Sequence, residues 1–218
     1  MRAAVLLAAF ALALAGAATA GAHSRDPTQR HTAADTQKAK SLALRRSDLN
    51  KGWTTDKPVK PAPPCTAGPD ESKLVQTARV DPSFTWKDGV TNIGSEVDIF
   101  RSAREARTDW NLSTVKLMGT CLLQSARAGA KGKLRFSLVS EKRLPPPTSA
   151  PRGLHFRFVL DVTAKQKVRL VADVLALNRG RVTVVLHTLT VQSPLPAVVV
   201  DSLLGVLADR LNASGVTA

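Results

Sequence analysis

The sequence predicts an α+β fold, in which a largely antiparallel sheet of about six strands is combined with three helices in the order α-β-β-α-β-β-β-β-α. Two observations lead to this prediction. Apolar and polar residues alternate through several segments of the carboxyl-terminal half, as they do in strands with one buried face. These segments follow one another directly instead of alternating with helices, which favours antiparallel pairing.

The amino terminus has the pattern of a secretory signal peptide. Met1-Arg2 is positive, an apolar run extends from Ala3 to Gly16, and small residues at 20–22 form a cleavage site. A membrane anchor is the alternative, but the run is shorter than the roughly 18–20 residues that span a bilayer. We expect a soluble protein that is secreted or associated with the cell envelope, with a signal peptide at 1–22, a disordered amino end at 23–33 and a single domain at 34–213.

The chain is strongly basic, with 31 Lys and Arg against 17 Asp and Glu and a formal net charge of +14. Such a charge favours anionic partners, although it can equally serve only to keep the protein soluble. Nucleic acid is disfavoured by the expected export and by the absence of tyrosine, because base stacking needs exposed aromatic rings. We expect a monomer without cofactor or metal that binds an anionic envelope polymer or a small molecule.

Cys65 and Cys121 are the only cysteines. An even count in an exported chain predicts a disulfide bond between them. Metal binding is the alternative, but two cysteines without a local Cys/His cluster make a poor zinc site. The bond would attach the proline-rich segment 56–72 to the body of the domain, and closing so long a loop is worth about 4 kcal/mol in the chain-entropy model.

Three segments carry helix signals. In the first, Thr32 stands at an N-cap position and Asp35 follows in the first turn. In the second, Ser102 and Glu105 form a capping-box pattern, and Pro194 precedes the third. The residues predicted to face inward are Ala39, Leu42 and Ala43 in the first helix, Ala103, Ala106, Trp110, Thr114, Leu117 and Cys121 in the second, and Val199, Leu203, Val206, Leu207 and Leu211 in the third.

Strand signals occupy the remaining apolar segments. Two strands precede the central helix, one follows it, and three more come in succession after a proline-rich loop. Even-numbered positions are the apolar ones in the last three strands. The predicted strands are 73–80, 92–100, 133–142, 154–162, 168–176 and 182–186.

The turns of the last three strands predict their register. A turn centred on Lys165 places Arg157 opposite Asp173 and Asp161 opposite Arg169, so that two pairs of opposite charge face each other. A three-residue turn at 178–180, with Gly180 in the left-handed conformation, then keeps all even positions on one face. The odd positions would form a polar face.

This polar face is the candidate binding site. Guanidinium and imidazole donors on rigid strands suit the recognition of phosphate or carboxylate, while a solvated face without function is the plainer interpretation. A His/Asp pair could serve acid–base chemistry, but no nucleophile accompanies it, and a Ser113-x-x-Lys116 pattern lacks the companion motifs of penicillin-interacting enzymes. The predicted ligand-binding residues are His155, Arg157, Arg169, Asp173, Thr183 and His187.

Three segments resemble the PknH-like extracellular sensor domains, which occur in bacterial receptor kinases and as free envelope proteins. Residues 47–53, Ser-Asp-Leu-Asn-Lys-Gly-Trp, are similar to the Asp-Leu-Pro-x-Gly-Trp entry of that family, although Asn50 replaces the usual proline. Residues 100–106 resemble its strand-to-helix junction, and residues 178–182 its final hairpin. The resemblance implies an antiparallel sheet with helices and a cleft, no known catalysis and a ligand-sensing role. Only one disulfide is possible here, whereas two are common in the family.

These observations lead to one leading hypothesis and two alternatives. The leading hypothesis is a secreted, non-catalytic domain that recognises an envelope component or a small anionic ligand. The alternatives are a hydrolase of unusual type and a structural envelope protein. A hydrolase would need a deep pocket that holds His155 or His187 beside a carboxylate and a hydroxyl, whereas a binding module would show an open groove without this trio.

Overall fold

The computed structural model describes residues 26–58, 65, 68–113, 118–130, 134–146 and 152–215. These residues form an α+β fold with a mixed, largely antiparallel sheet, as predicted, but with more elements than expected. The helices are α1 (Ala33–Leu42), α2 (Ala103–Ser113), α3 (Met118–Gly129) and α4 (Ala197–Ala213), with a 3₁₀ turn at Arg46–Asp48. The strands are β1 (Thr28–Gln29), β2 (Trp53–Thr55), β3 (Val75–Val80), β4 (Ser83–Trp86), β5 (Asn92–Phe100), β6 (Arg135–Arg143), β7 (Arg152–Thr163), β8 (Lys167–Arg179) and β9 (Val182–Val191).

The strands of the described residues form one sheet in the order β1-β3-β5-β9-β8-β7-β6. The short antiparallel pair of β2 and β4 joins it at β5. Among the described strands, only β1 and β3 pair in parallel. At the other end, β6 pairs with β7 and shifts register between Leu138 and Ser140. The two long hairpins β7–β8 and β8–β9 therefore form the centre and one side of the sheet.

Helices cover both faces of the sheet. We call the first face the one that presents odd-numbered residues of β5, β7 and β8 and even-numbered residues of β9. Its core packs Leu42 of α1 and Leu207 of α4 against Val97 and Leu186. The second face carries the remaining positions and packs Trp110 of α2 and Leu122 of α3 against aromatic and aliphatic residues of β7 and β8. The sheet is thus the middle of three layers.

The predicted disulfide is present. Cys65 and Cys121 are bonded, with their Cα atoms 5.2 Å apart, and both are buried. Cys121 lies in α3, which continues beyond it to Gly129, whereas the sequence predicted one helix through 103–121. Two residues of that predicted stripe, Thr114 and Leu117, lie outside the described residues.

The elements missed by the sequence prediction are the short strands. β1, β2 and β4 have two to four residues, which is too few for an alternating pattern to be recognised. β1 lies within the segment expected to be disordered, yet the amide of Thr28 donates to the carbonyl of Leu74 at 2.8 Å and that of Arg30 to Gln76 at 2.8 Å. Residues 28–30 are therefore attached to the edge of the sheet by backbone hydrogen bonds.

The register of β7 and β8 is the predicted one. Arg157 pairs with Asp173, Asp161 pairs with Arg169, and Thr163 pairs with Lys167 around a turn centred on Lys165. Both opposite-charge pairs form hydrogen-bonded ion pairs. The charge pattern therefore predicted this hairpin correctly.

The turn between β8 and β9 is shorter than predicted. Arg179 pairs with Val182, so the loop contains only Gly180 and Arg181. Gly180 has a φ of +56°, and a positive φ at the first central residue is the signature of a two-residue type II′ hairpin. One residue fewer in the loop reverses the parity of β9, so its odd positions lie opposite the even positions of β8.

This reversal corrects the predicted site. Thr183 and His187 lie on the second face, opposite Asn178 and Val174, and are separated by the sheet from the other predicted ligand-binding residues. Thr183 is buried and its hydroxyl oxygen accepts a hydrogen bond from Asn178 Nδ2 at 3.1 Å. Its role at this position is to satisfy a buried amide.

His187 is 2% exposed, and neither ring nitrogen has a hydrogen-bond partner among the described residues. The ring packs over Gly94 of β5, where a Cβ atom would lie 2.2 Å from His187 Nε2. Burial lowers the pKa of His187 to about 4. The side chain is therefore a neutral part of the core on the second face of the sheet.

Replacement of His187 by leucine should change how stability depends on pH. The unfolded state binds a proton near the ordinary histidine pKa, whereas the native state does not until much lower pH, so His187 destabilises the fold progressively as the solution is acidified. The free energy of unfolding of His187→Leu, relative to wild type, should therefore rise by about 2 kcal/mol between pH 7 and pH 5.

Urea denaturation of both proteins at each pH measures this difference, and comparison with wild type cancels the contributions of the carboxylates. The matched control is His31→Leu, at an exposed position. If the difference in unfolding free energy between His187→Leu and wild type were the same at both pH values, His187 would have an ordinary pKa in the native protein, and the prediction would be wrong.

Gly205 lies inside α4, and a Cβ atom built there would meet no heavy atom within 4 Å. Glycine in a helix interior costs roughly 0.5–1 kcal/mol relative to alanine, so Gly205→Ala should stabilise the protein by about that amount. Gly94→Ala is the matched comparison and should destabilise, because its methyl group would collide with His187. Urea unfolding measures both, and a loss of stability in Gly205→Ala would contradict the open space beside the helix.

Candidate functional site

A cavity of about 570 Å³ opens on the first face of the sheet, between the β7–β8 hairpin and α4. Strands β7 and β8 provide its floor, α4 provides one wall, and the segments before β7 and before α4 provide the rim. Its described lining residues are Pro145, Pro146, His155, Arg157, Asp173, Leu175, Pro194, Leu195, Ala197, Val200, Asp201, Leu204 and Gly205.

Asp173 organises the polar part of the floor. Its side chain is 1% exposed and accepts hydrogen bonds from Arg157 Nε at 2.7 Å and Arg157 Nη2 at 3.1 Å. His155 Nε2 lies 3.3 Å from the same carboxylate. Arg157 reaches Asp173 directly across the strands, and His155 reaches it diagonally because it pairs with Leu175. One buried carboxylate thus fixes two side chains that can donate hydrogen bonds.

The electrostatics of Asp173 follow from these contacts. Burial by itself would raise the pKa of this carboxyl, but the hydrogen bonds from His155 and Arg157 outweigh burial and hold its pKa below the ordinary value. Asp173 is therefore ionised at neutral pH and keeps the guanidinium in a fixed orientation.

Arg157 retains unused hydrogen-bonding capacity. Its side chain is 31% exposed, and Nη1 has no hydrogen-bond partner among the described residues. Lys142 of β6 pairs with Arg157 across the strands and is exposed, which adds a second positive charge next to the rim. The arrangement presents an oriented N–H group to the cavity, where it can bind an anionic oxygen.

The walls of the cavity are mostly apolar. Prolines 145, 146 and 194 and Leu195 form the rim, while Val200 and Leu204 project from α4. Asp201 is the charged residue that the helix contributes, and Gly205 contributes no side chain. An apolar enclosure with a few polar groups at one end is typical of sites for small molecules.

The structure brings together only part of the predicted set. His155, Arg157 and Asp173 line the cavity. Arg169 lies on the same face but four residues before Asp173 in β8, roughly 13 Å away at the usual rise per residue. Its side chain is 50% exposed and is bound to Asp161, which also accepts from Lys167 Nζ at 2.7 Å.

The sequence prediction missed the part of the site that α4 contributes. Asp201 and Gly205 lie one turn apart on that helix and, together with Ser202, interrupt an otherwise apolar segment. A glycine inside a strongly apolar helix pattern is the signal that could have drawn attention to this wall. The pairing of α4 with the first face, however, depends on packing between distant segments.

The site lacks a complete catalytic set among its described residues. His155 and Asp173 are adjacent, but no side chain lining the cavity in the described ranges carries a hydroxyl, a thiol or an amine. The Ser113-x-x-Lys116 pattern lies partly outside the described residues. Within those ranges, no three His, Cys, Asp or Glu residues are arranged to hold a metal ion.

Comparisons add no family assignment to this geometry. No protein-family model matches the chain, and no curated protein sequence matches it. In the part of the chain that the structure describes, no helix is long and apolar enough to cross a membrane.

Proposed function

We propose that this protein is a secreted, non-catalytic binding domain of the PknH-like sensor type whose first-face cavity recognises a small anionic ligand. The observation that carries the proposal is the Arg157 guanidinium, which Asp173 fixes in orientation while leaving Nη1 directed to no other described residue. Fixed donors favour binding because the ligand does not have to order them.

The surroundings of Arg157 support recognition of an anion. A hydrogen bond from a guanidinium to a carboxylate or phosphate is charge-assisted and stronger than a neutral one. The neighbouring Lys142 adds a positively charged donor near the same end of the cavity. The net positive charge of the chain would raise the local concentration of anions and their rate of association.

The composition of the cavity favours binding over hydrolysis. Hydrolysis by a His/Asp pair needs a nucleophile or an activated water beside the histidine. Here His155 and Arg157 share one carboxylate, and the described lining supplies no hydroxyl partner. A purely structural envelope protein, the other alternative, would have no use for an open cavity of this size with an oriented donor.

The residues that carry the resemblance to the PknH-like family have structural roles in this chain. Asp48 accepts hydrogen bonds from Arg210 Nη1 at 2.8 Å and Nη2 at 2.7 Å, which tie the segment after α1 to α4. Gly52 has a φ of +112° and packs against the ring of Trp86. In this chain, the segment that carries the resemblance thus anchors the last helix, which forms the wall of the cavity. The buried disulfide is compatible with an extracellular location.

Substitution of Arg157 tests the proposal. Butyrate and inorganic phosphate, titrated separately into the ¹⁵N-labelled full chain, should shift the amide resonances of residues around 155–157 and 173–175. For whichever of the two anions binds to wild type, Arg157→Gln should lower the affinity by roughly tenfold or more, because a hydrogen bond to a charged group is lost. Glutamine retains an N–H group near Asp173, and a thermal melt checks that the variant is folded.

Arg169→Gln is the matched control. It also removes a strand arginine paired with an aspartate on the first face, but it lies outside the cavity. This variant should bind as wild type does. Equal weakening in the two variants, abolished in both by salt, would show non-specific attraction by the net charge and contradict the proposal.

A further inference from the structure

We infer that the cavity takes an aliphatic monocarboxylate, whose carboxylate binds Arg157 and whose chain lies along α4 in the space left by Gly205. This inference rests on the proposed function and specifies its ligand. The juxtaposition that carries it is an oriented guanidinium at one end of a cavity whose remaining walls are almost entirely apolar.

The lining separates into two regions by chemistry. His155, Arg157 and Asp173 form the polar floor on neighbouring strands. Apart from these residues and Asp201, the described lining consists of proline, leucine, valine, alanine and glycine. A small polar anion would use only the floor and leave the apolar walls exposed to water. A ligand with an apolar body would bury both itself and the walls.

Gly205 is the residue that makes room for such a body. Neither of the usual physical reasons for a glycine applies to it, since its φ is not positive and no neighbouring atom approaches the position of a Cβ within 4 Å. The helix therefore forgoes the stability of a side chain without gaining close packing. What the absent side chain does leave is open space in the cavity wall.

The charges favour a monoanion over a dianion. Asp173 already balances the charge of Arg157, while the two N–H groups of Nη1 remain for the ligand. Asp201 adds a negative charge from the helix side of the same cavity. A carboxylate needs only one strong contact, whereas a phosphate monoester would bring a second negative charge into a space bounded by two aspartates.

A chain-length series tests the inference by isothermal titration calorimetry on the full chain with its disulfide intact. The probes are butyrate, octanoate, octan-1-ol and octyl phosphate. Burial of each additional methylene is worth about fourfold in affinity, so octanoate should bind roughly tenfold or more tightly than butyrate even with incomplete burial. Octan-1-ol and octyl phosphate should each bind more weakly than octanoate.

Variants of Gly205 test where the aliphatic chain of the ligand lies. Gly205→Met and Gly205→Leu place long side chains in the open space and should abolish the advantage of octanoate over butyrate. Gly205→Ala should keep most of the advantage. Ser202→Met adds the same side chain to an exposed position of α4 and should bind both probes as wild type does. Two different large substitutions guard against a folding defect in either one.

The outcomes distinguish the inference from the function on which it rests. Butyrate binding that depends on Arg157, without any gain from the longer chain, would overturn the aliphatic ligand and leave the anion site standing. Tighter binding of octyl phosphate than of octanoate would show that the site prefers a phosphate group, and would overturn the monocarboxylate as its ligand. Octan-1-ol binding as tightly as octanoate would overturn the role of the charge. Failure of every anion to bind would overturn both proposals.

Discussion

The two-residue turn at Gly180-Arg181 is the constraint on which the arrangement of both cores depends. It decides which side chains of β9 join which layer, because a sheet alternates its side chains strictly along each strand. With this turn, Val184 and Leu186 meet α1 and α4, while His187 is enclosed on the opposite side. The turn itself is held in place, since Arg181 binds Asp35 of α1 and donates to the carbonyl of Phe100 at 3.1 Å.

The two hairpins show what a sequence can and cannot reveal about register. The β7–β8 register was predictable because Arg157 and Asp161 have the same four-residue spacing as Arg169 and Asp173, and only one antiparallel alignment pairs both arginines with aspartates. The length of the β8–β9 turn was not predictable, since Gly180 suits either a two-residue or a three-residue loop. The apolar odd positions of β9, Val185, Leu189 and Val191, show that this strand is buried on both faces, and a strand of this kind gives no parity signal.

The candidate site was predictable to the same extent as the hairpin that supports it. His155, Arg157 and Asp173 were placed correctly because the β7–β8 register was predicted correctly. Thr183 and His187 were assigned to the wrong face because the β8–β9 register was not. The position of α4, which forms a wall of the cavity, depends on contacts between segments far apart in sequence, such as that of Arg210 with Asp48. Local sequence patterns do not encode where such a helix docks. Polar residues on an apparently solvated face were thus found beneath a helix, where a carboxylate and a guanidinium stabilise each other.

The irregular pairing of β6 has a consequence for the behaviour of the protein in concentrated solution. A strand at the rim of a wide sheet is a template onto which other chains can add. Here the shift between Leu138 and Ser140 leaves Val139 exposed and interrupts the ladder, and exposed cations at Arg135, Lys142 and Arg143 repel an incoming copy of the same strand. The opposite rim is formed by β1, whose two residues offer little to pair with. Both rims of the described sheet therefore discourage polymerisation through strand addition.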